Sequence, residues 1–180
     1  MDAAEFCSTA MAYLRAADAE QEHGADAPVM MDLNNGLVTQ YLVDQGDDFA
    51  LVLNRDLQEA GLTLPELHAL AVANLWRGAE VHVRVQQYSA VCAVFLDGNF
   101  EASLLLADPL WDDVLTEYVT HDYVAAVPAP DVLAFCDSAS ADGINALRGV
   151  VQRVIETGDE LITDSLYVRR NGQWERLCDA

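Results

Sequence analysis

The stretch from Val81 to Ala107, VHVRVQQYSAVCAVFLDGNFEASLLLA, decides the fold. Its first part alternates valine with polar residues, which is the period of a strand with one buried face. Ala90 to Leu96 is apolar almost throughout, so it predicts a central strand. A turn at Asp97-Gly98-Asn99 then leads into Phe100 to Ala107, which we expect to be the next strand of an antiparallel meander.

Hairpin signals occur on both sides of this stretch. Residues 37–43 and 49–53 flank a turn at Gln45-Gly46-Asp47, and they predict one hairpin. Near the other end, Asn171-Gly172 joins residues 166–169 to residues 174–177, and this dipeptide is a strong two-residue turn. Residues 123–127 and 132–135 are two further strands. The pattern indicates an antiparallel sheet.

Helical patterns separate these groups of strands. Thr63 and Glu66 form a capping box ahead of an apolar stripe, which is Leu67, Leu70, Ala71, Asn74 and Leu75. A second helix is predicted from Asp108 to Tyr118, and a third over residues 144–155, capped by Ser140 or Asp142. Residues 1–22 have apolar residues at helical spacing and predict an amphipathic helix. Because strands and helices segregate, we expect a single α+β domain over residues 29–178, with helices packed against its antiparallel sheet.

The charge balance is the feature of the sequence that says most about function. The chain contains thirty Asp and Glu residues, nine arginines and no lysine, and its formal net charge is -21. So negative a surface repels nucleic acid and anionic membranes, and it attracts a basic protein. Solubility or adaptation to high salt explains the same charge without any partner. Both explanations remain open at this point.

Recognisable catalytic and cofactor motifs are missing from the sequence. There is no phosphate-binding loop, nucleophile elbow or glycine-rich dinucleotide turn, so we expect no cofactor. Four scattered cysteines, Cys7, Cys92, Cys136 and Cys178, lack the spacing of a zinc site and predict free thiols and no metal. The N-terminus has no basic-then-apolar pattern, and the expected compartment is the cytoplasm.

The candidate site residues fall into two groups. The first is an acidic binding surface made by two clusters, one at a hairpin tip and one along an exposed helix edge: Asp44, Asp47 and Asp48, and Asp108, Asp112, Asp113 and Glu117. The second is a cleft beside the sheet that contains Asn74, Asp131 and His121. Asn74 is expected to be buried and hydrogen-bonded to backbone outside its own helix, because its stripe is otherwise apolar. His121 and Asp122 are adjacent, yet neighbours on a strand point apart.

Several segments together resemble the YtpQ-like family of uncharacterised bacterial proteins, over about residues 30–178. The resemblance is carried by Gly36-Leu37-Val38 with Tyr41, by Thr63-Leu64-Pro65-Glu66-Leu67 with Ala73-Asn74-Leu75, by Asp97 to Leu105, and by Val127-Pro128-Ala129-Pro130-Asp131. It implies a cytoplasmic α+β domain without an assigned activity, and it maps most directly onto Asn74 and Asp131. The family carries an arginine before that aspartate, where this chain has Pro130.

Two hypotheses follow from the sequence. The first is a non-enzymatic, acidic binding protein, such as an immunity or inhibitor protein that neutralises a basic toxin or enzyme. The alternative is an enzyme or small-ligand sensor with a cleft near Asn74 and Asp131. The first is favoured because the second lacks a nucleophile, a metal cluster or a cofactor loop. A homo-oligomer is compatible with either.

Overall fold

The structure, a computed structural model, describes residues 2–17, 23–158 and 160–177. The chain forms two compact units, which divide between Gly78 and Ala79. The α+β class and the antiparallel pairing are confirmed, and each unit contains a sheet of its own. The predicted division between residues 22 and 29 lies inside the first unit.

The first unit combines a small sheet with three helices among its described residues. The helices are α1 (Ala3–Ser8), α2 (Asn54–Ala60) and α3 (Leu64–Ala79), and the strands are β1 (Met11–Ala16), β2 (Met31–Asp32), β3 (Leu37–Asp44) and β4 (Phe49–Leu51). Strand β3 is the centre: β1 pairs with it on one side, and β2 and β4 also pair with it, all antiparallel. The predicted hairpin is therefore β3 and β4.

Helix α3 begins as the sequence predicts. The Thr63 amide and hydroxyl donate to Glu66 Oε2 at 2.8 and 2.7 Å, and the Glu66 amide donates to Thr63 Oγ1 at 3.4 Å. These hydrogen bonds lower the pKa of Glu66. On the predicted apolar face Leu67, Ala71 and Leu75 are buried, but Leu70 is 40% exposed, so its assignment to that face was wrong.

The predicted N-terminal helix over residues 1–22 is wrong beyond its first turns. Helix α1 ends at Ser8, and Met11–Ala16 forms a strand along β3. Ala12 and Leu14 are fully buried, which is the alternation of a strand with one covered face. The apolar residues of this segment fit both periods, and pairing with β3 decides between them. Residues 18–22 lie outside the described residues.

The second unit is built on a six-stranded antiparallel sheet among the described residues, with the order β10-β9-β7-β8-β6-β5. Its strands are β5 (Arg84–Tyr88), β6 (Val91–Phe95), β7 (Tyr123–Ala126), β8 (Leu133–Asp137), β9 (Leu166–Arg170) and β10 (Gln173–Arg176), and its long helix is α4 (Ala141–Thr157). Asn171 and Gly172 both have positive φ in the predicted turn between β9 and β10. The Ser140 hydroxyl caps α4 by accepting from the Gly143 amide at 3.0 Å.

Helix α4 covers one face of this sheet, where Leu147 and Val151 pack on residues of β7, β8 and β9. Gly143 permits the close approach of the helix. A Cβ at that position would lie 2.7 Å from the Cys136 Cβ and 2.9 Å from the Ala90 carbonyl oxygen. Any side chain there would push the start of α4 away from the sheet.

Residues 100–118 belong to the opposite face of the sheet. Their structure corrects two predictions. Phe100 to Ala107 is not a strand, because Ala102–Leu106 forms a 3-10 helix. The predicted helix from Asp108 to Tyr118 is only a short π-helical segment, Leu110–Val114. The fully buried Trp111 stacks edge-on against Tyr123, Phe135 and Trp174, with ring centroids 5.0, 5.7 and 4.7 Å apart.

Candidate functional site

The first acidic cluster lies at the tip of the β3–β4 hairpin, as predicted. Asp44, Asp47 and Asp48 are all exposed. Asp44 Oδ1 accepts from the Gly46 amide at 2.7 Å, and Asp48 Oδ1 accepts from the Phe49 amide at 2.8 Å. Two of the three carboxylates therefore also shape the turn.

Apolar side chains follow this tip directly. Phe49 is 41% exposed and Leu51 is 36% exposed, although both belong to β4. They are two residues apart on one strand, so they point to the same side. The tip of the hairpin therefore presents negative charge next to an aromatic and an aliphatic side chain.

The second acidic cluster is not the row of free carboxylates that was predicted. Asp108 and Asp112 bind the guanidinium of Arg169, which is only 8% exposed. Arg169 Nη2 donates to Asp108 Oδ1 at 2.7 Å, and Nη1 donates to Asp112 Oδ1. The short π-helical segment, with Arg169 across from it on β9, explains this change. Asp113 and Glu117 remain exposed.

Arg169 keeps its positive charge in this setting. Burial by itself lowers the pKa of a guanidinium, but the hydrogen bonds and charges of Asp112 and Asp108 outweigh that effect and raise it. The Nε atom has no hydrogen-bond partner among the described residues. Two of the four carboxylates in this cluster thus share one buried cation, and these three side chains keep a net charge of about -1.

His121 pairs with Asp137 rather than with its sequence neighbour Asp122. Its Nδ1 lies 3.0 Å from Asp137 Oδ1, and the His121 side chain is 61% exposed. Asp137 also accepts from the backbone amides of Thr120, His121 and Ala139, at 2.7, 3.1 and 2.8 Å. Burial by itself would raise the pKa of Asp137, but the hydrogen bonds from these amides outweigh the effect of burial and hold the pKa at about 2. The carboxylate therefore fixes the orientation of an exposed imidazole.

Asn74 makes the backbone contacts that its position in the stripe predicted. Its Nδ2 donates to the carbonyl oxygens of Ser8 and Ala10, at 2.8 and 2.9 Å. Ser8 is the last residue of α1 and Ala10 directly precedes β1, so both acceptors lie outside α3 and the prediction of partners outside its own helix is confirmed. The side chain is half-buried rather than buried, and Arg77 donates to its Oδ1 at 3.3 Å.

Asp131 is exposed at the corner between β7 and β8. The same corner supplies the Pro130 carbonyl, which accepts from the Ala102 amide at 3.0 Å. Glu101 is 4% exposed, and its carboxylate accepts from the amides of Leu96 and Gly98 at 2.9 and 2.8 Å. Asn74 belongs to the first unit and Asp131 and His121 to the second, so the cleft that joins them stays a prediction.

Other candidate chemistry among the described residues is limited. No group of three or more His, Cys, Asp or Glu side chains there is arranged to hold a metal ion. Cys7, Cys92 and Cys136 are buried free thiols, and burial raises the pKa of Cys136 to about 11 with added contributions from Asp137 and Cys92. Cys178 lies outside the described residues.

A groove of about 420 Å³ runs along the second unit. Val151, Leu166 and Leu177 contribute apolar surface to it, and Arg148 and Asp164 contribute charge. No sequence motif pointed to it, because its lining comes from α4, from the start of β9 and the residues just before it, and from the residue after β10. Asp137 and Arg169 were missed for the same reason: apart from Ala139, their partners are 16 to 61 residues away in the chain.

Bacterial proteins without an assigned activity align with about three quarters of this chain. A UPF0354 protein of Bacillus cytotoxicus is 26% identical over 139 residues, which cover 76% of this chain and 51% of that protein. One from Halalkalibacterium halodurans is 26% identical over 137 residues, covering 75% and 51%, and one from Bacillus mycoides is 25% identical over 139 residues, covering 76% and 51%. The homologues are UPF0354 proteins.

The expected resemblance to an uncharacterised bacterial family is thereby confirmed, under the UPF0354 name and not the YtpQ name. The chain spans about half the length of the curated relatives it matches. No protein-family model matches it, and no solved structure does. Within the described part of the chain, every helix is too short or too polar to cross a membrane.

Proposed function

We propose that this UPF0354 homologue is a non-enzymatic binding protein whose acidic hairpin tip docks on a basic protein. The observation that carries the proposal is the exposed tip itself, where Asp44, Asp47 and Asp48 stand beside the exposed Phe49 and Leu51. Charge brings a basic surface to such a tip quickly, and apolar contact prolongs the complex. A cytoplasmic immunity or inhibitor protein that covers a basic toxin or enzyme is the specific form proposed.

The second acidic cluster contributes less to this function than its four carboxylates suggest. Asp113 and Glu117 are available to a partner, whereas Asp108 and Asp112 already hold Arg169. The enzyme or ligand-sensor alternative has weaker support, because the Asn74 amide is engaged by backbone carbonyls. Asp131 adds little to it, since its carboxylate is exposed on a corner.

The test begins with capture of stoichiometric partners from the host at low salt. The association rate of the purified partner is then measured with the wild-type protein and with Asp47→Lys. Asp47 is the right position because, unlike Asp44 and Asp48, it accepts no hydrogen bond within the turn from a described residue. We expect the rate to fall severalfold in the variant, and to fall in the wild type as salt rises.

Glu59→Lys is the matched control, because it makes the same change of charge at an exposed carboxylate of the same unit that lies on α2, outside both clusters. It should leave the rate near that of the wild type. The proposal fails if the identified partner associates at a rate that ignores both salt and Asp47→Lys.

A further inference from the structure

The outer edge of β5 has no neighbouring strand among the described residues of the second unit. The strand order ends at β5, which pairs with β6 on its other side. Tyr88 and Val91 flank the two-residue turn at Ser89 and Ala90, so this pair exchanges hydrogen bonds inside the hairpin. By alternation, the backbone amides and carbonyls of Val85 and Gln87 point outward.

This edge lies in the longest part of the chain without a carboxylate. Residues 81–96 contain no Asp or Glu, although the whole chain averages one in six. Their charged or titratable side chains include His82 and Arg84, and Arg84 forms no ion pair with a described residue. A chain that uses carboxylates for solubility almost everywhere else leaves this exposed edge without them.

Large apolar side chains are exposed on the same hairpin. Tyr88 is 47% exposed and Phe95 is 44% exposed, and Val81, just before the strand, is 77% exposed. Arg84 is directly opposite Phe95 in the register, so Arg84, Gln86, Tyr88 and Phe95 share one face. The combination of a bare edge and exposed aromatic side chains is what folded proteins normally avoid on a free surface.

The opposite edge of the sheet shows the usual protection. Strand β10 carries Glu175 and Arg176, and Glu175 lies 3.7 Å from Arg170 on β9. Charged side chains on an edge oppose pairing with another chain. Strand β5, by contrast, carries one charged residue, Arg84, and no carboxylate, so its edge is the less protected of the two.

We propose that β5 pairs with β5 of a second copy of this chain, antiparallel and centred on Gln86, to form a homodimer with a continuous sheet. In this register Val85 of each copy pairs with Gln87 of the other, and their outward amides and carbonyls meet. Arg84 then lies opposite Tyr88 of the second copy, a cation beside an aromatic ring. At β5, two chains of net charge -21 meet without setting carboxylate against carboxylate.

The dimer has a diagnostic response to salt. Like-charged molecules repel at long range, so screening strengthens their association. Dimerisation through β5 should therefore increase as salt rises, opposite to binding of a basic partner. This difference separates dimerisation from the proposed function, and either one can fail alone.

The experiment is sedimentation equilibrium of the wild type, Gln86→Glu and Gln173→Glu over a range of salt, at protein concentrations up to about 1 mM. Gln86→Glu sets two carboxylates against each other on the dimer axis, and we expect it to raise the dissociation constant about tenfold or more. Gln173→Glu makes the same chemical change at an exposed position on the other edge strand, so it should leave the constant unchanged.

Hydrogen exchange of the wild-type protein is a second test, and it needs no variant. The amides of Val85 and Gln87 should exchange more slowly as the wild-type concentration rises, while those of β10 do not change. The proposal is overturned by a wild type that stays monomeric at high salt, by a dimer that rising salt dissociates, or by a dimer that Gln86→Glu leaves intact in a variant whose unfolding transition is normal.

Discussion

Asp137 organises the loop that precedes β7 through a single carboxylate. It accepts hydrogen bonds from three backbone amides and from His121, which tie Thr120 and His121 to the end of β8. The carboxylate accepts these bonds best when ionised, and burial, which favours the neutral acid, is outweighed by them together. The folded state therefore holds the pKa of Asp137 at about 2.

This shift predicts how stability depends on pH. The pKa is lower in the folded state than in the unfolded chain, so the stabilisation is complete above about pH 5 and is lost as the pH falls towards 2. We expect Asp137→Asn to reduce the free energy of unfolding at pH 7 by about 1–3 kcal/mol, and to weaken the loss of stability between about pH 5 and 2. Urea unfolding at a series of pH values measures both effects.

Asp131→Asn is the control, because Asp131 is exposed and accepts no hydrogen bond from a described residue. It should follow the wild-type pH profile closely. A profile of Asp137→Asn that matches the wild type down to pH 2 would contradict the assignment of the pKa shift to these amides.

Asn74 and Asp137 show what single residues reveal in a sequence. Asn74 interrupts an apolar stripe, and an amide on such a stripe must find partners, so its backbone contacts were predictable. In the sequence, Asp137 looks like an ordinary turn residue after the predicted strand 132–135, whereas in the structure it is the last residue of β8. Its donors come from residues 120 and 121 as well as from Ala139. The fold brings those donors together, and the sequence contains no periodic signal for them.

At the scale of elements, Arg169 joins the π-helical segment Leu110–Val114 to strand β9. The guanidinium is buried, whereas the side chains of Asp108 and Asp112 are 67% and 58% exposed. This difference in exposure determines how much each substitution lowers the free energy of unfolding. Replacing the carboxylates with amides leaves a buried charge without a counter-charge, and removing the arginine leaves carboxylates that water can solvate.

We therefore expect Asp108→Asn with Asp112→Asn to lower the free energy of unfolding by about 3 kcal/mol or more, and Arg169→Met to lower it by less. Urea unfolding of the three proteins at pH 7 provides the comparison. Asp113→Asn with Glu117→Gln is the matched control, since it removes two exposed carboxylates from the same acidic cluster. If Arg169→Met proves the more destabilising change, the packing of the arginine stem matters more than its charge.

Elements with their own local signals were predicted well, and those decided by distant contacts were not. The capping box at Thr63 and the Asn171-Gly172 turn are encoded within four residues, and both are confirmed. Met11–Ala16 fits a helix and a strand equally, until β3 pairs with it. The buried run from Phe100 to Leu105 likewise has no period, and the Glu101 carboxylate helps to turn it by binding the Leu96 and Gly98 amides.

At the scale of the whole molecule, the negative charge is divided between the two units. Residues 1–78 contain 13 Asp and Glu and three Arg, and residues 79–180 contain 17 and six. Both units are therefore acidic. Most of the carboxylates repel one another in either unit, whichever surface a partner binds. Under the proposed function, recognition uses the few carboxylates at the hairpin tip, and the remaining carboxylates of both units contribute to solubility.

Self-repulsion of this size predicts that salt stabilises the fold. A high net charge destabilises compact states, and the Debye length falls from about 30 Å at 0.01 M salt to about 8 Å at 0.15 M. We expect the free energy of urea unfolding to rise over that range of NaCl, since screening weakens long-range repulsion more than it weakens the partly buried pair at Arg169. Arg169→Met should show the same rise, because the salt dependence of its free energy of unfolding comes from the remaining carboxylates. A stability that stays flat or falls with salt in both proteins would mean that local ion pairs outweigh the net charge.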